Sequence, residues 1–514
     1  MKNALLATGM FCFMAVSAVS QTVSMENVFK PFRTISGAIK EGTEVKGYYF
    51  LWVSDKIDKN TYEWTLRLCD ISLKTLKEVK FQDSRQITIL ESSFNGTELM
   101  ILFYNSKDGN FEYQVYGANG IKKHSYNRQL TKKEERYLQQ TYLAMDDEEQ
   151  NYKGLYSIEG KGFISNMPSR EDKDYTFQID YFSSEKKKQW TYVPTQGAKR
   201  FIGDYLGYFN GVVYIEVLKF SGMFDQKPES TIVGLSLETG RQVFEKSTDS
   251  KYRFYPSILS VLNNGKAFLH GEYFNLNGNI LNDKSEGFGF WGIDEKGTIL
   301  NEKYCSWELE LGKHLDVNSK GKIDDFGYMF LHNMVQTSEG SIYAIGEGYK
   351  KVASALGIAS KLLTRNSGMS TIKIKVTDMI LIKFDNEFNV KEAKIYEKNP
   401  NTVELQSGME FVSGPLLGKM VKYYYGQFDY AYTQMNADNT SFTVCYADYV
   451  RGKDYKGSTF NTINYNVGNI TTDKINTKSD ASRVFVLPSK QGSVLLLEIY
   501  KKDNRIAGHI EKMN

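Results

Sequence analysis

Few residues in this sequence have both the type and the spacing that chemistry needs. The best-placed acids are Glu272 and Glu347, because each follows the second glycine of the same pattern, G-x5-G-E, which starts at Gly265 and at Gly340. A pair of carboxylates at a defined separation is what a glycoside hydrolase uses. Two copies of one pattern, however, indicate equivalent positions in a repeated unit, which favours a structural role for both acids.

Histidine, the most common acid–base side chain, is scarce, since the chain has only five. His270 and His332 lie in the segments FLHGEY and MFLHNM, which predict inner strands of a sheet, so both are candidate ligand-binding residues. A hydrogen-bonded histidine within a strand is the simpler interpretation. The sequence has no nucleophile elbow, zinc-protease motif or phosphate loop, and its acidic segments lack the spacing of a calcium loop. We therefore predict no catalytic residue, no metal site and no cofactor.

An aromatic tract, KYYYGQFDYAY at 422–432, is the best candidate for a ligand-binding surface. Exposed aromatic faces stack on sugar rings or bind protein partners, and tyrosine adds a hydroxyl for hydrogen bonds. The alternative is a pair of tyrosine-rich strands that fill the space between two sheets. A second polar and aromatic edge, NYNVGNITTDKINT from Asn464, has a weaker claim. The candidate ligand-binding residues are therefore Tyr423, Tyr424, Tyr425, Phe428, Tyr430, Tyr432, His270, His332, Glu272 and Glu347.

Strands must position these side chains, because the sequence repeats a unit of turns and strands. Asn-Gly or a similar pair precedes an apolar segment at 95–104, 210–219, 264–274, 339–349 and 491–500. Asn-Gly before such a segment is typical of a hairpin, and a segment that is apolar at every position is buried on both faces. The last strand of each unit is more charged. This gradient predicts an all-β fold, a β-propeller of seven to eight four-stranded blades.

The last unit provides only three strands, so we expect the N-terminal segment TVSMENVFKPF to add the fourth and close the ring. Two insertions predict short helices. The first lies near 131–148, where Thr131 and Glu134 have the spacing of a capping box, and the second, near 351–365, is basic and amphipathic. Residues 21–514 are expected to form a single domain. An outer-membrane barrel fits poorly with strands that are apolar on both faces.

The first twenty residues have the composition of a signal peptide. Lys2 precedes an apolar stretch from Ala4 to Val16, and Ala18-Val19-Ser20 places small residues where a signal peptidase cleaves. Bulky residues before Cys12 argue against a lipoprotein, and no later segment is long and apolar enough to span a membrane as a helix. We expect residues 1–20 to direct export through the general secretory route, to the periplasm or the cell surface.

Composition argues against two further classes of protein. The formal net charge is +3 at pH 7, which gives no electrostatic basis for nucleic-acid binding. Beyond the predicted signal peptide the chain keeps Cys69, Cys305 and Cys445, too few and too scattered for a disulfide framework. We expect these three cysteines to be buried as small apolar side chains.

The signal peptide, the ENVFKPFRTISGAIK start, the KGYYF strand and the TKKEERYLQQTYLAM helix together resemble an uncharacterised family of secreted Gram-negative bacterial proteins. That family carries a domain of unknown function with propeller-like repeats, and the resemblance covers essentially the whole mature chain. It implies export and a propeller fold, and it offers no catalytic residue to carry over. The leading hypothesis is a non-catalytic propeller of the cell envelope that binds a protein or a glycan. A carbohydrate-active hydrolase or lyase is the alternative, and a purely structural envelope component is a third hypothesis.

Overall fold

The structure is a computed structural model that describes residues 21–29, 34–140, 143, 153–171, 174–185, 189–194, 198–222, 227–363, 369–407, 409–451, 456–477 and 479–513. The predicted signal peptide, residues 1–20, lies outside the described residues. Within the described ranges, no helix is long and apolar enough to cross a membrane.

The described strands form eight four-stranded antiparallel units, which are the blades of a β-propeller. In each of the first seven blades the chain runs from the innermost strand, beside the axis, to the outermost strand at the rim. We number the blades from 1 to 8 in chain order. Blades 1 to 4 consist of β2 Ile35–Glu41, β3 Glu44–Lys56, β4 Thr61–Asp70, β5 Thr75–Ser84; β6 Ile87–Phe94, β7 Glu98–Asn105, β8 Asn110–Gly117, β9 Lys122–Gln129; β10 Leu155–Ile158, β11 Gly162–Glu171, β12 Asp174–Ser183, β13 Gln189–Tyr192; and β14 Arg200–Phe209, β15 Val212–Phe220, β16 Glu229–Ser236, β17 Gln242–Ser247.

Blades 5 to 7 continue this order, and blade 8 uses both ends of the described chain. Their strands are β18 Arg253–Val261, β19 Ala267–Phe274, β20 Gly287–Ile293, β21 Ile299–Ser306; β22 Tyr328–Gln336, β23 Ile342–Ala353, β24 Met369–Phe384, β25 Val390–Tyr396; β27 Tyr430–Met435, β28 Ser441–Arg451, β29 Lys456–Asn466, β30 Asn469–Asn476; and β31 Arg483–Pro488, β32 Ser493–Tyr500, β33 Arg505–Lys512 with β1 Thr22–Met25. Blade 6 has a fifth strand, β26 Asn401–Gln406, which pairs with β24.

The ring closes through the N-terminal strand. β1 pairs antiparallel with β33, and Thr22 lies opposite His509. The innermost strand of blade 1 contacts the innermost strands of blades 2 and 8, so the ring is continuous across the junction of the two chain ends. These contacts confirm the predicted propeller and the predicted contribution of TVSM to the last blade.

The apolar core lies between neighbouring blades. The second strand of blade 2, ELMILFYN, is buried at every position except the last, because each of its faces packs on a different blade. Trp64 of blade 1 packs against Phe103 of blade 2 with a ring-centroid distance of 5.9 Å. The outermost strand of blade 1, TLKEVKFQDS, is largely exposed. The three cysteines are buried and unpaired, as predicted.

The first two helices lie within the two predicted insertions, but their bounds and capping differ from the prediction. In α1, Lys132–Gln140, the Glu134 N–H donates to the Thr131 hydroxyl at 3.1 Å, which is half of the predicted capping box. The second helix, α2 Ala355–Leu363, begins four residues after the predicted start, because β23 continues to Ala353. The rest of both predicted insertions, apart from residue 143, lies outside the described residues, namely 141–142, 144–148 and 364–365.

Blade 6 carries an extension beyond its four main strands. Its second and third strands continue beyond the blade as a paired hairpin, from Tyr349 opposite Val376 to Ala353 opposite Ile372. Onto this hairpin pack β26, α2 and a third helix, α3 Gly414–Met420, which continues as a π-helix over Val421–Tyr425. Two short 3₁₀ helices complete the described elements, Leu311–Lys313 and Met409–Phe411.

Candidate functional site

The segment 413–430, which we call the axial segment, contacts the innermost strands of three neighbouring blades, the strands beside the propeller axis. Tyr349 of blade 6 donates a hydrogen bond to the Gly414 carbonyl at 2.6 Å. Five residues further along, Lys419 lies 3.2 Å from Asp204, on the innermost strand of blade 4. Ser413 and Lys419 also donate to carbonyl groups of blade 5, so the segment spans blades 6, 5 and 4.

Local sequence explains the shape of the axial segment. The Ser413 side chain caps α3 by accepting from the Leu416 N–H, and Pro415 suits the first turn, where its missing N–H costs nothing. The helix ends at Gly426, whose φ of 56° lies in the left-handed region. A Cβ on Gly418 would lie 2.9 Å from Phe330, so glycine lets the helix approach blade 6 closely.

Three glutamates occupy the same register position in blades 4, 5 and 6. Each lies on the second strand and faces the innermost strand two residues before a β-bulge in that strand. A bulge re-aims the neighbouring side chains and is common next to functional sites. The three glutamates, with the residues they lie opposite, are Glu216 with Asp204, Glu272 with Tyr255, and Glu347 with Phe330.

Sequence analysis identified two of these acids and missed Glu216. Glu272 and Glu347 each follow a turn glycine by seven residues, whereas Glu216 follows Gly211 by only five, because the hairpin of blade 4 is shorter. A comparison of the strands in register, counted from the bulge, would have found it. The three acids occupy equivalent positions in three blades, which agrees with the structural role that the shared spacing of Glu272 and Glu347 favours.

Glu216 binds the lysine of the axial segment. The Lys419 ammonium lies 2.7 Å from Glu216 Oε2, 3.0 Å from the Pro256 carbonyl and 3.9 Å from the centre of the Tyr255 ring. Burial raises the pKa of Glu216 to about 7, against the attraction of Lys419. Burial alone would lower the pKa of Lys419, but the Glu216 carboxylate and its neighbours raise it well above its ordinary value.

Glu347 is fully buried and accepts hydrogen bonds from two blades. Its carboxylate lies 3.1 Å from the Lys398 ammonium and 3.1 Å from each of the backbone nitrogens of Asp429 and Tyr430. Those two N–H groups lie where blade 7 begins, so the side chain fastens blade 6 to blade 7. His332 Nε2 is 3.2 Å away and completes the set.

His332 is the extra residue of the bulge in blade 6, which turns its ring out of the strand alternation. The ring stacks on Tyr430, with centroids 4.5 Å apart and planes inclined by 5°, and it meets Phe428 edge to face at 4.8 Å. Burial, followed by the charges of Lys422 and Lys398, lowers the pKa of His332 well below its usual value. The ring is therefore neutral, and its Nε2–H donates to Glu347.

The same cluster holds two further perturbed groups. Burial raises the pKa of Asp429 to about 6, opposed by the attraction of Lys398, which lies 2.5 Å away. Burial lowers the pKa of Lys422 to about 8, and that ammonium lies 5.0 Å from the centre of the Tyr430 ring. The structure thus brings together His332, Glu347, Phe428 and Tyr430, four of the ten predicted site residues.

Glu272 and His270 lie apart from that cluster, two residues from each other on one face of β19. The Ser285 hydroxyl donates to the Glu272 carboxyl, and burial raises the pKa of Glu272 to about 8, so this acid is protonated at neutral pH. The His270 side chain is buried, and neither of its ring nitrogens has a hydrogen-bond partner among the described residues. Burial lowers the pKa of His270 to about 3.

The remaining tyrosines of the aromatic tract pack on apolar surface. Tyr423 and Tyr425 are partly buried against the cluster beneath the blade 6 extension. Tyr432 packs against the cluster between blades 7 and 8. The side chain of Tyr424 lies outside the described residues. The tract is therefore one π-helical turn followed by the start of an innermost strand, and its role in binding a ligand stays a prediction.

An open polar cleft of about 720 Å³ lies between blades 6 and 7, a size within the usual range for ligand sites. One wall is the chain that follows β25, and the other is formed by β28, β29 and β30, which include the predicted edge from Asn464. The Asn399 backbone N–H donates to the Asp448 carboxylate at 2.8 Å and so joins the two walls, and the Asn461 amide donates to the same carboxylate at 3.1 Å within the second wall. Exposed Glu397, Thr472 and Lys474 line the mouth.

The floor of this cleft is the buried Lys398, which also binds Glu347 and Asp429. The cleft therefore adjoins the cluster around His332, through a lysine whose pKa is raised by the two carboxylates in spite of its burial. Over the part of the chain that the structure describes, no group of three or more His, Cys, Asp or Glu side chains could hold a metal ion.

A family model described as "Family of unknown function (DUF6770)" matches residues 1–514. No curated protein matches the chain significantly. Among solved structures, the chain is similar to Chaetomium thermophilum Sqt1 bound to the N-terminus of the ribosomal protein L10, with 10% identity, a TM-score of 0.39, and 95% of this chain and 100% of that chain covered. It is also similar to the Vanderwaltozyma polyspora Nup133 β-propeller domain, with 11% identity, a TM-score of 0.35, and 96% and 97% covered.

A third similar structure is the β-propeller domain of the trilobed protease from Pyrococcus furiosus, with 9% identity and a TM-score of 0.34, where 91% of this chain and 92% of that chain are covered. These neighbours are β-propellers of unrelated sequence. A fold of this kind supports many unrelated functions. The function has to be argued from the site.

Proposed function

The chain belongs to the DUF6770 family of unknown function, and we propose that it is an exported, non-catalytic binding protein of the bacterial cell envelope. Its ligand, a protein or a glycan, binds in the cleft between blades 6 and 7. The observation that carries this proposal is the contrast between that cleft and the axis. The cleft is open and polar, whereas the acids beside the axis are already engaged within the chain.

The hydrolase alternative needs two carboxyl groups that face a common substrate. Glu216 is held by Lys419, and Glu347 is held by Lys398, by two backbone N–H groups and by His332. Their oxygens are used in joining the axial segment and blade 7 to the ring. This arrangement supports binding over hydrolysis at the axis.

The cleft offers the chemistry of a polar ligand. Its mouth carries carboxylate, amide, hydroxyl and ammonium groups within one concave surface, and such groups bind sugar hydroxyls or the polar side chains of a peptide. Exposed Lys474 stands on β30 at the edge of the cleft, where a substitution changes the binding surface and leaves the core intact.

The test is a glycan array together with a pull-down from envelope extracts, using the mature protein and two matched variants. Lys474→Glu reverses a charge in the cleft, and Lys246→Glu reverses the charge of an equally exposed residue on the outermost strand of blade 4. We expect Lys474→Glu to weaken capture of a ligand about tenfold or more and Lys246→Glu to leave it unchanged. Equal effects of the two variants would place the ligand elsewhere, and a hydrolysed glycan on the array would overturn the non-catalytic assignment.

Export is tested separately. Expression of the full chain in a Gram-negative host, followed by fractionation and mass spectrometry of the N-terminus, should give an envelope protein that begins at Gln21. Recovery of the chain in the cytoplasm with residues 1–20 attached would refute the localisation without affecting the binding assay.

A further inference from the structure

Blades 4 and 5 surround the Lys419 ammonium with one acceptor for each of its protons. The three acceptors are Glu216 Oε2 at 2.7 Å, the Pro256 carbonyl at 3.0 Å and Asp204 Oδ2 at 3.2 Å. A primary ammonium group has three N–H donors and no acceptor, so the set is complete. The Tyr255 ring, with its centroid 3.9 Å from the nitrogen, adds a cation–π contact.

The blades hold these acceptors independently of the axial segment. Asp204 and Glu216 are register partners on two adjacent strands of blade 4, and Ser230 on the third strand lies 3.4 Å from the other oxygen of Glu216. Tyr255 and Pro256 belong to the innermost strand of blade 5. Strands hold side chains more rigidly than a connecting segment does, so these acceptors keep their positions when Lys419 leaves them.

Lys419, by contrast, belongs to an irregular element of secondary structure. Lys419 stands on a seven-residue helix that continues as a π-helix, within the connection between blades 6 and 7. Single π-helical turns are rare and are frequent at functional sites. The pocket also has a solvent side, because the side chain of Asp204 is 40% exposed, whereas that of Lys419 is 6% exposed.

From this geometry we propose that the pocket of Asp204, Glu216, Tyr255 and Pro256 is a binding site for unbranched primary ammonium groups. Lys419 is its internal occupant, and an external amine of the same shape competes for the site. The lysine side chain of a partner protein and a free polyamine share this chemistry. The site is separate from the cleft between blades 6 and 7 and does not depend on the function proposed for that cleft.

The first experiment replaces the internal occupant with a soluble one. Lys419→Ala removes the atoms from Cγ to Nζ, which correspond to n-propylammonium. We expect this cation to raise the Tm of the Lys419→Ala variant by about 2 °C or more, in a saturable manner, relative to tetramethylammonium at the same ionic strength. The matched control is Lys419→Met, which fills the same space with an apolar chain and should not respond.

A double variant identifies the acceptor. Lys419→Ala combined with Glu216→Gln should lose most of the response, because the closest acceptor loses its charge. A response of equal size in Lys419→Met or in the double variant would overturn the proposal, since it would show a general effect of the alkylammonium salt.

The second experiment uses the wild-type protein and decides the matter if Lys419→Ala fails to fold. Amide hydrogen exchange over 414–425 should become at least about twofold faster in about 0.5 M n-propylammonium than in tetramethylammonium, because an external ammonium in the pocket releases Lys419 and loosens the segment that this lysine anchors. Nα-acetyl-lysinamide and spermidine, used in place of n-propylammonium, distinguish a peptide-borne lysine from a polyamine. Unchanged exchange with all three amines would refute the site.

Discussion

Glu347 and Glu272 have the same register position but opposite electrostatic roles, which makes them a matched pair for substitution. Burial raises the pKa of Glu347, and the Lys398 ammonium and two backbone N–H groups oppose that rise, whereas burial raises the pKa of Glu272 to about 8 and only one serine hydroxyl binds it. We predict that Glu347→Gln destabilises the protein strongly and that Glu272→Gln does not. Both substitutions keep the shape of the side chain, so the comparison isolates the charge.

The magnitude for Glu347 follows from its contacts. Removing one partner of a buried ion pair costs about 3–5 kcal/mol when the other charge is left uncompensated. Here Lys398 keeps Asp429 at 2.5 Å, and the glutamine carbonyl still accepts from one or both backbone N–H groups. The new amide N–H₂ faces donors, however, and finds no acceptor in place of the lost oxygen. We therefore expect a loss of about 3 kcal/mol in the free energy of unfolding.

Glu272→Gln should not lower the same quantity at pH 6, since a neutral carboxyl and an amide have similar hydrogen-bonding capacity and only the wild type must keep a proton on this buried acid. The measurement is equilibrium urea unfolding followed by tryptophan fluorescence, with the midpoint and slope of each variant compared with wild type. Equal losses for the two variants would refute the different electrostatic roles assigned to Glu347 and Glu272.

Three further predictions address other buried groups. The Glu272→Gln variant should become more stable relative to wild type as the pH rises from about 5 to 8. Burial raises the pKa of Glu272 to about 8, above its value in the unfolded chain, so the bound proton stabilises the folded wild type and this contribution decreases as the pH rises. Urea midpoints at both pH values test the sign. His270→Met should raise the free energy of unfolding by about 1 kcal/mol, because both ring nitrogens are buried without a hydrogen-bond partner among the described residues; a decrease in the same assay would show that the ring has a partner such as an ordered water. Glu91→Ala removes the acceptor of the Gly154 and Leu155 N–H groups, at 2.8 and 3.0 Å, and should accelerate their amide exchange, with exchange in blade 8 as the unaffected reference.

The blades could be predicted from the sequence because their turns and strands depend on local chemistry. Asn210 and Gly211 have φ values of 44° and 81°, and both therefore adopt the left-handed conformation that a tight hairpin turn requires. The segment VVYIEVLKF that follows is buried at all but one position, as a strand between two blades must be. Turn type and apolar patterning each depend on only a few consecutive residues, so both can be predicted without knowing the distant contacts.

The axial segment could not be predicted in the same way. Tyrosine-rich sequence favours strands, yet Val421–Tyr425 form a π-helical turn, because Leu417 and Val421 are buried against the blade 6 extension. The contact of Lys419 with Asp204 joins residues 215 positions apart, and nothing near either residue encodes it. His332 and Glu347 were separate candidates, since their contact depends on the bulge and on the register of two strands.

The pairing of β1 with β33 also sets the order in which the molecule can fold. Thr22 and His509 lie at opposite ends of the described chain, so their pairing closes the longest loop in the protein and gains its contacts last. Until then, β33 presents an open edge that another chain can extend, which makes the nearly complete ring the species most exposed to aggregation. Once β1 has paired with β33, both ends of the described chain lie in one sheet. The rate at which blade 8 opens then limits how fast the native ring is lost.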